Sequence, residues 1–315
     1  MNKSISVIIP FLNEEENIPA LIDAINIFVA SYPGVDYEFI FVDDGSTDRS
    51  VSLLLVRTLG KSKFKIIKLA KNFGSHSALR AGIVNAKSEF ITFMYADLQD
   101  PLELIRKMHE ECLAGNDIVW ATRAKPTGGF MEKIFSKIYA WLMRRFVIKN
   151  FPFNGFDVVM FSQKVQIFLN QNVESNSSVF LQLLTLGFRQ KSVTYEKSLR
   201  KHGKSKWTLG KKIKLFVDSF VAFSYAPIRL VSVIGLLLFI VGFSFSSYLI
   251  LRKLLFNDLA QGWAMLISIL MLGFGITNIS LGIIAEYLWR TLDAARKREV
   301  FIIDEIIDLS ANLEV

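Results

Sequence analysis

Short apolar runs alternate with amphipathic stretches through the first third of the chain. Ser4–Pro10, Tyr37–Val42, Phe64–Leu69 and Phe90–Met94 are of strand length and rich in β-branched or aromatic residues. Glu14–Ser31, Asp48–Leu59, His76–Ala86 and Pro101–Leu113 carry apolar positions at helical spacing. Strands apolar on both faces need cover on both faces. The pattern therefore predicts an α/β domain with a mostly parallel sheet and flanking helices. A fifth strand is expected at Asp117–Trp120.

The pattern changes in the second half. Leu209–Tyr225 sets Lys211, Lys212 and Lys214 against Ile213, Phe216, Phe220 and Phe223, the spacing of an amphipathic helix. Leu230–Leu251 then runs 22 residues without a charge, and Trp263–Ala285 runs 23. At about 1.5 Å per residue either spans roughly 33 Å as a helix, enough for a hydrocarbon core of about 30 Å. Two buried core helices would be apolar too, but soluble cores rarely hold two such uncharged runs. Two membrane-spanning helices are expected. Lys206, Lys211, Lys212, Lys214, Arg229, Arg290, Arg296, Lys297 and Arg298 flank them on one side, against Arg252 and Lys253 in the connecting loop. That asymmetry predicts both termini in the cytoplasm and the loop outside. Met131–Val147 is another amphipathic stretch, with Ile134, Ile138, Trp141 and Leu142 against Lys133, Lys137 and Arg144. It suits a membrane interface, or packing on the body. The expected organisation is a cytoplasmic domain over 1–208, an interfacial helix over 209–229, two membrane helices over 230–289 and a cytoplasmic tail over 290–315, all at the inner membrane.

Composition agrees with a body joined to a membrane part: 51% of the 315 residues are hydrophobic, yet 21% are charged. The net charge of +8 fits nucleic acid, anionic lipid or an anionic substrate. Because the basic residues crowd the membrane flanks, no nucleic-acid partner is expected. A single cysteine, Cys112, excludes an intrachain disulfide framework. The N-terminus reads as a first strand rather than a signal peptide, so the body is expected to begin and stay in the cytosol.

Ligands of such sheets bind outside the carboxyl ends of the strands. Pro10-Phe11-Leu12-Asn13-Glu14 ends the first strand, Asp43-Asp44-Gly45-Ser46 the second and Tyr95-Ala96-Asp97-Leu98-Gln99-Asp100 the fourth. Carboxylates thus recur on one rim, where they can accept from ribose and base or hold a cation on phosphates. The chain has neither a G-x-G-x-x-G fingerprint nor a Walker loop. Turn and helix-cap roles are the better reading for Asp48 and Asp100, whereas the shared rim favours function for Asp44 and Asp97.

These motifs recur with Asn72-Phe73-Gly74, Gly187-Phe188, Tyr195-Glu196, Arg200 and Gly203-Lys204-Ser205-Lys206-Trp207, followed by the apolar anchor. Together the series resembles the polyprenyl-phosphate glycosyltransferases of the GT-A fold, a group that includes dolichyl-phosphate mannose synthases and bactoprenol glucosyltransferases. The resemblance covers nearly the whole chain. It implies inverting transfer of a hexose, with UDP-glucose as the family-typical donor, to undecaprenyl phosphate for surface glycans such as O-antigen. By position it implies that Pro10, Leu12, Glu14, Val42 and Asp44 line the base and ribose pocket. Asp97 and Gln99 would hold Mg²⁺ or Mn²⁺, Arg123 would sit near the phosphates, and Arg200 with Lys206 would meet the phosphates of donor or acceptor. Asp157 becomes the acceptor-side base or orienting group. Homo-oligomers occur among similar enzymes.

Two departures stand out. Tyr95 occupies the place of the family's usual second aspartate, and a neutral phenol cannot replace a carboxylate on a hard cation. Asn154-Gly155-Phe156-Asp157 replaces a commoner Gly-Asp-Phe-Arg pattern. A non-catalytic nucleotide-sugar binder, or a transferase for an unusual donor, therefore stays open beside the main reading. A processive polysaccharide synthase would show Gln-x-x-Arg-Trp and more spans.

Overall fold

A computed structural model of the chain describes residues 4–57, 62–124, 130–146, 148, 151–152, 155–171, 178–197, 226–256, 262–296 and 299–309. Two units are separable, Met1–Ser219 with Glu299–Val315, and Phe220–Arg298. In the first, β1 (Ser4–Phe11), β2 (Asp36–Asp43), β3 (Lys63–Leu69) and β4 (Phe90–Phe93) alternate with α1 (Ile18–Ser31), α2 (Ser50–Leu55), α3 (Ser75–Asn85) and α4 (Glu103–Leu113). Then come β5 (Ile118–Arg123), α5 (Phe130–Phe146), β6 (Phe156–Ser162), α6 (Gln163–Gln171), α7 (Val179–Thr185) and β7 (Gln190–Tyr195). One more strand, β8 (Ile303–Asp308), returns after the second unit.

All eight strands form one sheet in the order β7-β5-β6-β4-β1-β2-β3-β8. The pairs β1–β2, β1–β4 and β2–β3 are parallel, as the alternating pattern requires, and β5 also pairs in parallel with β7. β1 and β2 are buried almost end to end, because helices cover both faces. Cover on one face is tight: a Cβ on Gly82 of α3 would stand 2.2 Å from Ile8 Cγ2 on β1. Within the sheet, Lys65 Nζ lies 2.7 Å from Glu38 Oε1 in a buried pair, and Glu38 also accepts from Ser6 Oγ and the Lys87 amide. Burying such a pair is tolerable only because its oxygens find partners.

Two strands run against the rest, and both matter. β6 is antiparallel to β4 and β5. Its first residues therefore lie at the rim where its neighbours end. β8 is antiparallel to β3, with Ile306 opposite Ile67 and Ile307 opposite Ile66. The segment expected as a C-terminal tail thus closes a sheet edge that would otherwise present unpaired backbone groups.

In the second unit, α8 (Ala226–Phe256) and α9 (Trp263–Arg296) are helices of 31 and 34 residues. Among the described residues one window, Leu272–Trp289, is long and apolar enough to cross a membrane, and none of it is buried. Val233–Phe245 is a shorter apolar stretch. Two spans were expected at Leu230–Leu251 and Trp263–Ala285; one meets the test. The Met131–Val147 stretch appears as α5, which exposes Ile138, Trp141 and Phe146. Leu209–Tyr225 lies outside the described residues.

Candidate active site

Parallel strands bring their carboxyl ends to one rim, and the loops there lock together. Pro10 pairs in register with Val42, and both are buried. After β1 the backbone turns through Asn13 at φ 51°, a left-handed conformation that asparagine tolerates better than most residues. Asn13 Oδ1 accepts from the Thr47 amide at 2.8 Å, and the Asn13 amide donates to Ser46 Oγ at 2.9 Å. Further on, the Glu14 amide donates to Ser50 Oγ and the Glu15 amide to Asp48 Oδ2. Four such links join the β1–α1 loop to the β2–α2 loop. Asp48 also accepts from the Ser50 amide at 3.0 Å, the turn role expected of it. Glu14 itself accepts from Asn17 Nδ2 at 2.7 Å.

Asp44 ties in a third loop. Its Oδ1 accepts from the Phe73 amide at 2.7 Å and its Oδ2 from the Gly74 amide at 3.0 Å. Burial raises its pKa and nearby Asp43 adds to this, while the two amides pull the other way. Gly45 makes the approach possible: its φ is +78°, and a Cβ there would stand 2.8 Å from the Asn72 amide nitrogen. The Asn72-Phe73-Gly74 motif is thereby the partner of Asp44, a link the sequence order alone does not reveal.

At the end of β4, Asp97 Oδ1 accepts from the Gln99 amide at 3.2 Å across Leu98, whose φ is 54°. Left-handed backbone at a leucine is strained and needs support from its surroundings. Asp97 is 9% exposed and Asp100 only 2%. Asp100 is not the helix cap expected of it. Instead its Oδ1 accepts from Tyr195 Oη at 2.6 Å, with Lys197 Nζ at 3.6 Å. Burial, then the carboxylates of Asp157, Asp100 and Asp97, raise the pKa of Tyr95, so its phenol stays neutral.

The last part is where β5, β6 and β7 meet. Arg123 ends β5 and Tyr195 ends β7, directly paired in register. Asp157, second in β6, arrives from the opposite direction. Arg123 Nε donates to Asp157 Oδ2 at 2.6 Å and Nη2 donates to Oδ1. Tyr195 Oη also lies 2.8 Å from Asp157 Oδ2, sharing its one proton between Asp100 and Asp157, with Lys197 Nζ at 3.2 Å. Burial alone would raise the Asp157 pKa; the Arg123 hydrogen bonds, Lys197 and Tyr195 outweigh it and hold the carboxyl at about 2. Asp157 is thus a fixed anion.

Sequence reasoning picked out Pro10, Leu12, Glu14, Val42, Asp44, Asp97, Gln99, Arg123 and Asp157, and all stand at or next to this rim. Arg200 and Lys206 lie outside the described residues. It missed Asp100, Tyr195 and Lys197 as members of one cluster, because their meeting depends on the reversed β6 and on the β5–β7 register. Among the described residues no group of three or more His, Cys, Asp or Glu could hold a metal by itself. Asp97 and Gln99 offer hard oxygens that fit a divalent cation completed by phosphate oxygens and water.

A family model described as Glycosyl transferase family 2 matches residues 6–173. A Bacillus subtilis protein named uncharacterized glycosyltransferase YkcC is 33% identical over 95% of this chain and 93% of its own length. The undecaprenyl-phosphate 4-deoxy-4-formamido-L-arabinose transferase of Pectobacterium atrosepticum is 29% identical over 99% of this chain and 96% of its own. Among solved structures, glucosyl-3-phosphoglycerate synthase from Mycobacterium tuberculosis with Mn²⁺, uridine diphosphate and phosphoglyceric acid is similar at a TM-score of 0.49 and 20% identity, over 70% of this chain and 76% of that one. With the family match over more than half of its length and a relative matched almost end to end, the chain belongs to glycosyl transferase family 2 and is a glycosyltransferase.

Proposed function

We propose that the chain transfers a hexose, with inversion, from a nucleotide sugar to undecaprenyl phosphate at the cytoplasmic face of the inner membrane. One observation carries this reading: a rim of interlocked acidic loops shares its chain with an exposed apolar helix, Leu272–Trp289. The relatives that match along nearly the whole chain include transferases named for undecaprenyl phosphate. UDP-glucose is the first donor to test. A second reading, a formamido-arabinose donor, is favoured by those relatives' names.

In this reading the loops after β1 and β2 hold base and ribose through Pro10, Leu12, Glu14, Val42 and Asp44. Asp97 and Gln99 hold a divalent cation. Such a cation, when bound, offsets charge that builds on the departing nucleoside diphosphate. Arg200 and Lys206 supply positive charge to the phosphates of donor or acceptor. Asp157, held ionised by Arg123, orients the acceptor side and does not take a proton. No strong base is required, because a phosphate monoester is largely anionic near neutrality.

The chain's path supports a two-span anchor. Residues before 220 and after 298 belong to one folded unit, and β8 is part of its sheet. Any excursion across a membrane between them must return to the side it left, which one crossing cannot do. Along α9, Thr277, Asn278 and Ser280 hydrogen-bond the carbonyls of Gly273, Phe274 and Ile276, four residues back, so their polar groups are satisfied within the helix. The basic asymmetry puts both termini in the cytoplasm. The exposed Trp141 and Phe146 of α5 suit the interface, and homo-oligomers fit a helical anchor of this kind.

A panel of labelled nucleotide sugars offered with undecaprenyl phosphate in detergent tests the proposal. Label passing to the lipid from one donor is expected. Donor binding without transfer from any of them would make the chain a binder instead.

A further inference from the structure

We propose that Tyr195 is a positioning residue, whose hydroxyl bridges Asp100 to Asp157 and so holds the turn that carries Asp97 and Gln99. The inference rests on the reading that this turn holds the divalent cation.

The turn needs an anchor. Leu98 sits at φ 54° between the two proposed ligands, a conformation that a residue with a Cβ abandons unless its surroundings enforce it. Asp100, three residues after Asp97, is 2% exposed and is the point where the turn enters the body. Its Oδ1 meets Tyr195 Oη at 2.6 Å and Lys197 Nζ at 3.6 Å, while among the described residues its Oδ2 is buried without a hydrogen-bond partner. Tyr195 and Lys197 are therefore what the Asp100 side chain holds on to.

Tyr195 is itself well fixed. It is 5% exposed, lies opposite Arg123 in the β5–β7 ladder, and its carbonyl accepts from the Ala124 amide at 2.8 Å. Its second contact, 2.8 Å to Asp157 Oδ2, reaches a carboxylate already clamped by Arg123. The hydroxyl thus spans a strained turn on one side and a rigid ion pair on the other. Burial, together with the two carboxylates, keeps the phenol protonated, and its single proton is shared between the two carboxylate oxygens. Lys197, near both carboxylates, supplies the charge that lets them stand so close. Groups that orient metal ligands from behind affect metal affinity without touching the metal.

Tyr195→Phe keeps the ring and removes the bridge. With the full chain in detergent and UDP present, Mn²⁺ binding is read from the free-ion electron paramagnetic resonance signal, beside the unfolding midpoint and sugar transfer. The variant is expected to bind Mn²⁺ about 10-fold more weakly, with transfer recovering as Mn²⁺ is raised. Asp100→Ala should weaken binding similarly, and the double variant no further than either alone, since all three break one link. Wild-type Mn²⁺ affinity in Tyr195→Phe, or a drop in unfolding midpoint without a change in affinity, overturns the inference. So do losses that multiply in the double variant. If the wild type and Asp97→Asn bind Mn²⁺ equally poorly, the metal reading fails and the inference falls with it.

Discussion

Arg123, the last residue of β5, donates from Nε and Nη2 to both carboxylate oxygens of Asp157 in β6. A planar fork meeting a carboxylate at two points is a strong, geometrically specific ion pair. Residues expected to act separately, one on phosphates and one on the acceptor side, are thus a structural pair first. Whatever either contributes to substrate depends on the geometry they fix in each other.

Asp157→Asn should therefore be costly near neutral pH and less so in acid. The folded pKa of about 2 lies below the ordinary carboxylate value, so the anion stabilises the fold above about pH 4. That contribution, about 2 kcal/mol, fades as pH falls towards 2. Removing the anion takes the Asp157 charge away from Arg123 and Lys197, while Asp100 still stands 3.6 Å from Lys197, a loss of about 3 kcal/mol at neutrality. Urea unfolding at about pH 7 and about pH 3 checks this, and the gap between variant and wild type should narrow in acid. An equal gap at both would mean the pair does not hold this corner.

Gly45→Ala should destabilise more than Gly34→Ala. Both glycines have positive φ, +78° and +82°, so both substitutions strain the backbone. Only at Gly45 does the added Cβ meet backbone, 2.8 Å from the Asn72 nitrogen, and backbone held by Asp44 cannot step aside. A loss of about 1 kcal/mol is expected at Gly34 and of about 3 or more at Gly45, read from chemical unfolding. Donor binding should fail with the second substitution, since the loop pair goes with it.

Asp97→Asn should abolish transfer, and chelation of divalent cations should do the same to the wild type. Loss of a charged ligand raises the barrier to departure of the diphosphate by several kcal/mol. Tyr95→Asp should be tolerated and bind cation more tightly, because a carboxylate replaces a neutral phenol. Full activity of Asp97→Asn at saturating donor would remove this turn from the chemistry.

Reporters placed at residue 257 and at the C-terminus should appear on opposite sides of the membrane. β8 belongs to the body's sheet, so the described end of the chain, up to Leu309, lies on the body's side. In a two-span anchor the loop between the helices would lie on the far side. Both reporters on one side would rule out that arrangement.

Local pattern determined a good deal of this protein. Period and composition located β1 to β5, the helices α1 to α5 and the apolar tract, because buried strands and amphipathic helices write their environment into neighbouring residues. The rim was legible too, since parallel strands must end together and Asp44 and Asp97 follow two of them. What the sequence could not say is which acid meets which partner. Asp100 looked like a cap and proved to be a buried acceptor for Tyr195, some 95 positions away in sequence. Asp157 reaches Arg123 only because β6 runs backwards, and Tyr195 reaches both only through its register with Arg123. Likewise three of the six residues in Ile303–Asp308 are acidic and poor strand formers, and only the open edge of β3 makes the segment a strand. Strand direction, register and edge pairing are settled by contacts between distant segments, whose free energy no local window contains.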